Sequence, residues 1–533
     1  MPHDSPSLSD TATSSPERPR RPRLPDWNGC LVSLPSDAGA WQEVAPAPAA
    51  GAPTLLLGLG PDAEAAPLAS NGPDAGPVFW LEAPPMLAWR QARRLAPPDA
   101  ARARPVSEAE ARTLARQCRI LFYQPGMRLF PRFWGPLLGH LDAARLHDAN
   151  RRAPAPSALP ALVLPGDAHT LLHQELCAAA AALRLPVMPW PARVEQPQQV
   201  AALLRRLADL PGSVPPLFLS VNLRGLDPQG RIAHACRALG IRLAIWFVDM
   251  PWHVLSSLRL PWWRNVPLFV TDASFLAPLR EAGASRAEPL PLATARHMWL
   301  PPSDTPPSLP PLFVGRASFP DHARFFAAVH PDREALALAE GLLAQAHDAQ
   351  APLPHIHWWQ RRLHAQGWPG MAIREAGAGA DACSRRRRAD WLATAVRAGF
   401  VLCGDAAWGT LLPGVTVLPP VDYYGRLPAL YARSEAVLNV TSLLLPHSLS
   451  QRHFDVWASG GVLFSDPTPG LELFPAELIR PMRLAAPDEL PGRLVALRRS
   501  PDERAALSAA WRKELLARHT YGHRLRTILQ ALA

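Results

Sequence analysis

Three polar residues near the C-terminus have the types and spacing to hold a charged, hydroxylated ligand: Ser448, Arg452 and Asp455. Ser448-Leu449-Ser450-Gln451 has capping-box spacing, which predicts a helix starting there. Gly460-Gly461 would end that helix, because a left-handed residue is needed at its close and glycine takes it without strain. A helix N-terminus at the end of a parallel strand offers free amides and a positive dipole end, which suits a diphosphate. Arg452 adds a cation that can fork onto phosphate. Asp455, three residues on, shares its face and can accept hydrogen bonds from vicinal hydroxyls, as on a ribose. The plainer alternative is an ordinary strand–helix unit with a surface Arg452–Asp455 pair.

The elements that must position these residues are legible around them. Ala436–Thr441 is apolar and β-prone, and Val462–Ser465 is a short buried strand. Upstream, strands alternate with helices from Arg119 onward: Arg119–Tyr123, Ala161–Pro165, Pro216–Val221, Ile241–Phe247 and Pro267–Thr271 read as strands. That alternation predicts parallel sheets covered on both faces. Leu300–Pro311 is rich in proline and serine and reads as a linker. A second α/β set follows, from Leu312 to helices that end the chain. The fold expected is two doubly wound α/β domains facing a cleft, with ligands beyond the strand C-termini. The expected boundaries are a disordered tail over 1–25, an accessory α/β region over 26–115, a first domain over 116–299, the linker over 300–311 and a second domain over 312–533.

Composition narrows the function classes. The chain has 533 residues, 48% hydrophobic and 19% charged, which is ordinary for a soluble globular protein of two or three domains. Its formal charge is +10, but no basic stripe is interleaved with aromatics as a single-strand nucleic-acid binder needs. The run Arg385–Arg388 reads as a solvated helix face, so no nucleic-acid partner is expected, and at most peripheral membrane association. The six cysteines are scattered and form no C-x-x-C pair. That argues against zinc or a disulfide framework and fits a reducing cytoplasm. The tail has no apolar core and does not read as a signal peptide.

The run Leu438-Asn439-Val440-Thr441 … Gln451-Arg452-His453-Phe454-Asp455 … Gly460-Gly461 … Asp466 … Glu472-Leu473-Phe474 resembles the C-terminal domain of bacterial glycosyltransferases similar to the spore-maturation CgeB proteins. Their pattern is roughly "lN-T…qR-FD/E…a-GG-ll-tD…eLF". The resemblance implies a two-domain (GT-B type) enzyme that moves a sugar from a nucleoside diphosphate donor to an acceptor hydroxyl on a protein, lipid-linked glycan or saccharide. It implies that Asp455, five residues before the glycine turn, holds the donor ribose. Phe313-Val314-Gly315-Arg316 resembles the turn that opens the donor domain, with Gly315 letting backbone approach phosphate and Arg316 neutralising it. Gly404 with Trp408, and Val421-Asp422-Tyr423-Tyr424, resemble loops that flank the base, so one of Trp408, Tyr423, Tyr424 and Tyr431 is expected to touch it. Gly460 closes the donor set.

In the first domain, Trp246-Phe247-Val248-Asp249-Met250-Pro251-Trp252-His253 resembles the "w-vDdP" segment that accompanies these domains. Asp249 could deprotonate the acceptor hydroxyl or order the sugar, with His253 a second candidate; alternatively Asp249 only caps a turn. Met250 stands where the family usually has a second acid. No Asp-x-Asp motif appears, so metal independence and no cofactor beyond the sugar-nucleotide substrate are expected. The rival reading is a catalytically inactive sugar-nucleotide-binding protein on the same scaffold.

Overall fold

The structure is a computed structural model that describes residues 21–532 apart from 27–28, 63–75, 100, 102, 147–158, 195–196, 209–213, 302–305 and 346–351. Residues 1–20 of the tail therefore lie outside the described residues. Its end does not follow the expected disorder: Arg23–Pro25 pairs antiparallel with Leu31–Ser33. The chain divides into two compact units, Met1–Leu137 and Leu138–Ala533.

The first unit is a five-stranded sheet in the order Trp41–Ala45, Arg119–Tyr123, Thr54–Leu57, Val78–Leu81, Ala103–Pro105. The first strand is antiparallel and the others parallel. One reading is corrected here. Arg119–Tyr123 belongs to this sheet, not to a domain over 116–299, because its backbone pairs with Thr54–Leu57 on one edge and Trp41–Ala45 on the other. Before it come the strand Ala103–Pro105 and a capped helix Glu108–Leu114. Trp41 donates its indole N–H to the Gly58 carbonyl (2.8 Å), and its ring lies 4.9 Å from that of Tyr123.

The second unit holds two parallel sheets, so the chain has two doubly wound domains of Rossmann type in this unit. The middle sheet runs Val187–Trp190, Leu162–Pro165, Leu217–Val221, Arg242–Phe247, Leu268–Val270, Ala287–Pro289. Its strands are buried runs such as Leu217–Val221, as a sheet covered on both faces requires. The C-terminal sheet runs Val417–Leu418, Val401–Cys403, Leu312–Val314, Val437–Asn439, Leu463–Ser465. Strand order reverses between Leu312–Val314 and Val437–Asn439, and a doubly wound sheet binds ligand at such a reversal, beyond the carboxyl ends.

The two domains are fastened by chain that crosses between them. The C-terminal helix Tyr521–Ala531 returns to the middle sheet, burying Tyr521, Leu525 and Ile528 against Leu217, Leu219 and Trp246. Each such side chain contributes roughly 1.5–3 kcal/mol. A 26-residue helix, Ala372–Arg397, joins the cores: Ile373, Ala376, Ala380 and Cys383 pack with the middle domain, Ala389, Leu392 and Ala395 with the C-terminal sheet. The span 312–533 is thus not one self-contained domain. Loops leaving the carboxyl ends of both sheets meet, the His447 N–H donating to Asp272 Oδ2 at 2.9 Å.

Beneath the middle sheet, Arg231 grips Asp142 with two hydrogen bonds (2.6 and 2.9 Å), both side chains about 5% exposed. Asp142→Ala removes the carboxylate that grips a buried guanidinium and should cost about 3–5 kcal/mol, while Asp142→Leu with Arg231→Met should cost far less. Urea unfolding midpoints of the three proteins check this; equal loss in both variants would contradict it.

Candidate active site

Arg452 is the first residue of a seven-residue helix, Arg452–Ala458, whose preceding residue is Gln451. The helix expected from Ser448 starts four residues late. Ser448 is buried and donates its hydroxyl to the Leu445 carbonyl (3.0 Å) rather than capping. Leu449 is drawn into the core, and Asp272 holds the His447 amide, so the chain is still turning there. Ser448 therefore supplies no helix N-terminus. Gly460, at φ +85°, does end the helix as its conformation requires, and its role is confined to that turn.

Arg452 lies across the strand-order reversal. Its Nε donates to the Val314 carbonyl (2.8 Å) and its Nη1 to Asn439 Oδ1, so one guanidinium ties the carboxyl ends of both central strands. It does not pair with Asp455. A Cβ on Gly315 would come within 2.8 Å of Arg452 Nη2, so glycine is what lets backbone and guanidinium approach. A Cβ on Gly404 would meet the Gly315 carbonyl at 2.3 Å, so the second loop also closes only as glycine. Trp408, expected near a base, is fully buried instead; its indole N–H donates to the Gly315 carbonyl (2.8 Å) and fixes that turn. Tyr431 is likewise core. Arg316 is exposed.

A residue the sequence reading set aside completes the cluster. Arg388 donates through Nη2 to the Arg316 carbonyl (2.8 Å), and its guanidinium lies 5.0 Å from the Trp408 ring centroid. Burial, and then the charge of Arg452, push its pKa down to about 10. Both guanidiniums flank the Phe313 ring, at 5.2 and 5.8 Å. Among the described residues neither has a carboxylate within 4.0 Å. Two neighbouring guanidiniums without such a partner are groups that an anion could bridge. Arg387, its neighbour, has a structural role: it donates to Asp466 Oδ2 (2.9 Å), while Asp466 Oδ1 accepts from the Thr441 amide (2.8 Å). Of the four arginines only Arg386 is on a solvated face. The spacing Asp381, Arg385, Arg388, at i, i+4 and i+7, was the available signal.

On that stripe Asp381 Oδ2 lies 2.8 Å from His322 Nε2 and 3.0 Å from Arg385 Nε. The rings of Phe319 and Phe326 lie 5.1 and 5.0 Å from that of His322 and 5.8 Å from each other.

Asp455 faces the seam between the domains but is covered. Its Oδ2 accepts from the Tyr423 hydroxyl (2.9 Å) and its Oδ1 from Gln451 Nε2 (3.1 Å), and Gln451 also donates to the Ala293 carbonyl (2.7 Å). It is Arg452, not Asp455, that lies against Gly315. Burial pushes the Asp455 pKa up to about 8. Tyr424 reaches the middle domain, its hydroxyl 3.1 Å from both oxygens of Glu175.

In the middle domain, Asp249 follows a strand end and accepts from Asn222 Nδ2 (2.7 Å). The side chain is exposed but crowded enough that desolvation raises its pKa, with Arg224 opposing. His253 is placed differently from expectation. Its Nε2 points into the long helix, where a Cβ on Gly377 would meet it at 1.9 Å, and burial lowers its pKa to about 3. It stays neutral and packs against protein, away from any proton transfer. Among the described residues no group of three or more His, Cys, Asp or Glu could hold a metal ion, and no helix is long and apolar enough to cross a membrane.

Residues 385–530, which carry Arg388, Arg452 and Asp455, match the family model described as glycosyl transferase-like. The C-terminal part of the chain is thus similar to a glycosyltransferase domain. Solved structures similar to this one include T4 phage BGT in complex with its UDP-glucose substrate (TM-score 0.36), a glycosyltransferase from Rickettsia africae (0.37) and Anabaena HepE in complex with UDP and glucose (0.36). Each is 10% identical, over 70% of this chain and 98% of the other. At scores this low the likeness adds nothing to the sheet topology described above. No curated protein matches the chain.

The folded-state pKa of Asp455 lies above its usual value of 3.8. Between about pH 4 and 8 the unfolded chain ionises this group and the folded protein resists, so the folded state loses stability as pH rises through that window. Asp455→Asn removes the loss. Its melting temperature should exceed that of the unsubstituted protein at pH 8 and converge with it near pH 4; a constant offset would contradict the shift.

Proposed function

We propose that the protein transfers a sugar from a nucleoside diphosphate donor to an acceptor hydroxyl, as an enzyme similar to the CgeB group. The observation that carries this reading is the arginine pair Arg388–Arg452 at the strand-order reversal, unneutralised beside two glycine turns. The chemistry asked of it is electrostatic. As the bond from the anomeric carbon to phosphate breaks, negative charge grows on the leaving diphosphate. Preorganised guanidiniums in a partly desolvated site stabilise that charge without reorganising. Arg316, exposed at the same turn, can close over the phosphates.

Asp455 would receive the ribose hydroxyls once the Tyr423 phenol gives way to them, and Tyr424 borders the same space. Gly315 and Gly404 keep the loops low enough for the diphosphate to reach both arginines. Asp249, past the end of a middle-sheet strand, would hold the acceptor hydroxyl. Sugar donor and acceptor thus come from opposite sides of the seam.

A melting screen against UDP-, GDP-, ADP- and dTDP-sugars tests the donor class. A ligand at about 100 times its dissociation constant should stabilise the fold by about 2.7 kcal/mol. Arg452→Ala and Arg388→Ala should each abolish that stabilisation. Arg452→Lys should restore it only in part, because lysine cannot fork across Val314 and the ligand together. Stabilisation equal to the unsubstituted protein in both alanine variants would remove the arginine pair from donor binding.

A further inference from the structure

The long helix Ala372–Arg397 serves as a ruler across the site. Arg388 marks the diphosphate end of the proposed donor. Asp381, seven residues earlier on the same face, lies about 10 Å nearer the middle domain at 1.5 Å per residue. Gly377, against which His253 of the middle domain packs, lies about 16 Å from Arg388 on the same scale. A donor whose phosphates meet Arg388 and Arg452, and whose sugar points along this helix toward the middle domain, would bring that sugar to the side of Asp381. His322 is held at that place. Its Nε2 is 2.8 Å from Asp381 Oδ2, and the Asp381 side chain is 8% exposed. A carboxylate there accepts from Nε2–H and so leaves Nδ1 as the nitrogen with a lone pair. Among the described residues Nδ1 has no hydrogen-bond partner, and the side chain keeps 22% of its surface exposed. Phe319 and Phe326, 5.8 Å from each other, pack against the ring as one apolar cluster, surface of the kind a sugar face lies against.

We propose that His322, oriented by Asp381, is the base of the transfer reaction. The acceptor oxygen forms its bond to the anomeric carbon, and the bond from that carbon to the diphosphate oxygen breaks. The electron pair leaves with the nucleoside diphosphate, and the acceptor's proton passes to His322 Nδ1. Asp381 stabilises the imidazolium that results and is a positioning residue; Arg385, 3.0 Å from the same carboxylate oxygen, holds Asp381 in turn. This rests on the donor reading above, since the arginine pair sets the zero of the ruler.

The test uses the full chain and the sugar nucleotide, among UDP-, GDP-, ADP- and dTDP-glucose, that raises its melting temperature. Release of nucleoside diphosphate reports turnover, with or without added acceptor. His322→Gln should lower kcat by roughly 10²–10⁴-fold, the range of general-base catalysis. It should leave binding of the free nucleoside diphosphate within about threefold, and the acidic limb of the pH–kcat profile should vanish. Asp381→Asn should lower kcat less and move that limb to lower pH, because the imidazolium loses its carboxylate. In the unsubstituted protein, diethyl pyrocarbonate should modify His322, found by mass spectrometry, with loss of activity in step. Turnover at the original rate in His322→Gln, or activity surviving full modification of His322, overturns the proposal. So does loss of nucleotide binding together with kcat, which marks a structural role. If the donor reading itself is wrong, Arg388→Ala keeps the ligand-induced melting shift; if only His322 is misassigned, Arg388→Ala loses that shift while His322→Gln still turns over.

Discussion

The C-terminal domain depends on one guanidinium. Arg452 fastens the carboxyl ends of the two central strands by bonding the Val314 carbonyl and Asn439 Oδ1. Those strands share only the single register pair Leu312–Val437 before they diverge. The gap that follows is where a doubly wound sheet accepts ligand, and it is also where the ladder offers least support. Arg452 closes the gap from below without filling it. Much of the neighbourhood then serves to keep that charge in place: Asn439 is fixed by Ser450 (2.7 Å), Phe313 lies beneath the guanidinium, and Gly315 leaves it room. Among the described residues this half-buried cation has no carboxylate within 4.0 Å, which is the feature that the diphosphate of the proposed donor would answer.

The long helix gives that charge a context. Along it, residues serve different tasks: Gly377 admits a ring from the middle domain, Asp381 holds His322, Arg387 anchors Asp466, and Arg388 binds the Arg316 carbonyl. Gly377, Asp381 and Arg388 share one face at different heights, and Arg387 lies off it. Arg387 and Arg388 are adjacent in sequence yet serve different loops, since consecutive helical residues diverge by about 100°. Asp466 in turn organises the Thr441 loop, so phosphate-side and seam-side loops share one backbone reference.

The parts of this arrangement set by local chemistry could be read from the chain. Buried β-prone runs such as Leu217–Val221 and Leu463–Ser465 announced parallel sheets, and Gly315 and Gly460 sat where backbone needed freedom. What could not be read was set by tertiary competition. Ser448 has a capping pattern, but burial of Leu449 and the hold of Asp272 on His447 delay the helix to Arg452. Trp408 looked like a ligand contact, yet a fully buried indole with one donor found the Gly315 carbonyl. Arg385–Arg388 looked like a solvated face because composition does not show which helix face is covered. Arg119–Tyr123 has a strand's sequence, but nothing local says which sheet recruits it. His322 and Asp381 are 59 residues apart, and only the fold brings them together.

The fastening of the two domains has a mechanical consequence. The chain crosses the seam at the segment before the linker and again before the last helix, and the two crossings pair with each other, Thr294 N–H donating to the His519 carbonyl at 2.9 Å. The long helix, about 39 Å of rigid rod at 1.5 Å per residue, is embedded in both cores. Two adjacent strands and a strut fixed at both ends leave little freedom for one domain to swing on the other. A donor bound as proposed would then reach the arginine pair past the short turns around Arg316 and Tyr423, at the pace of loops rather than of whole domains.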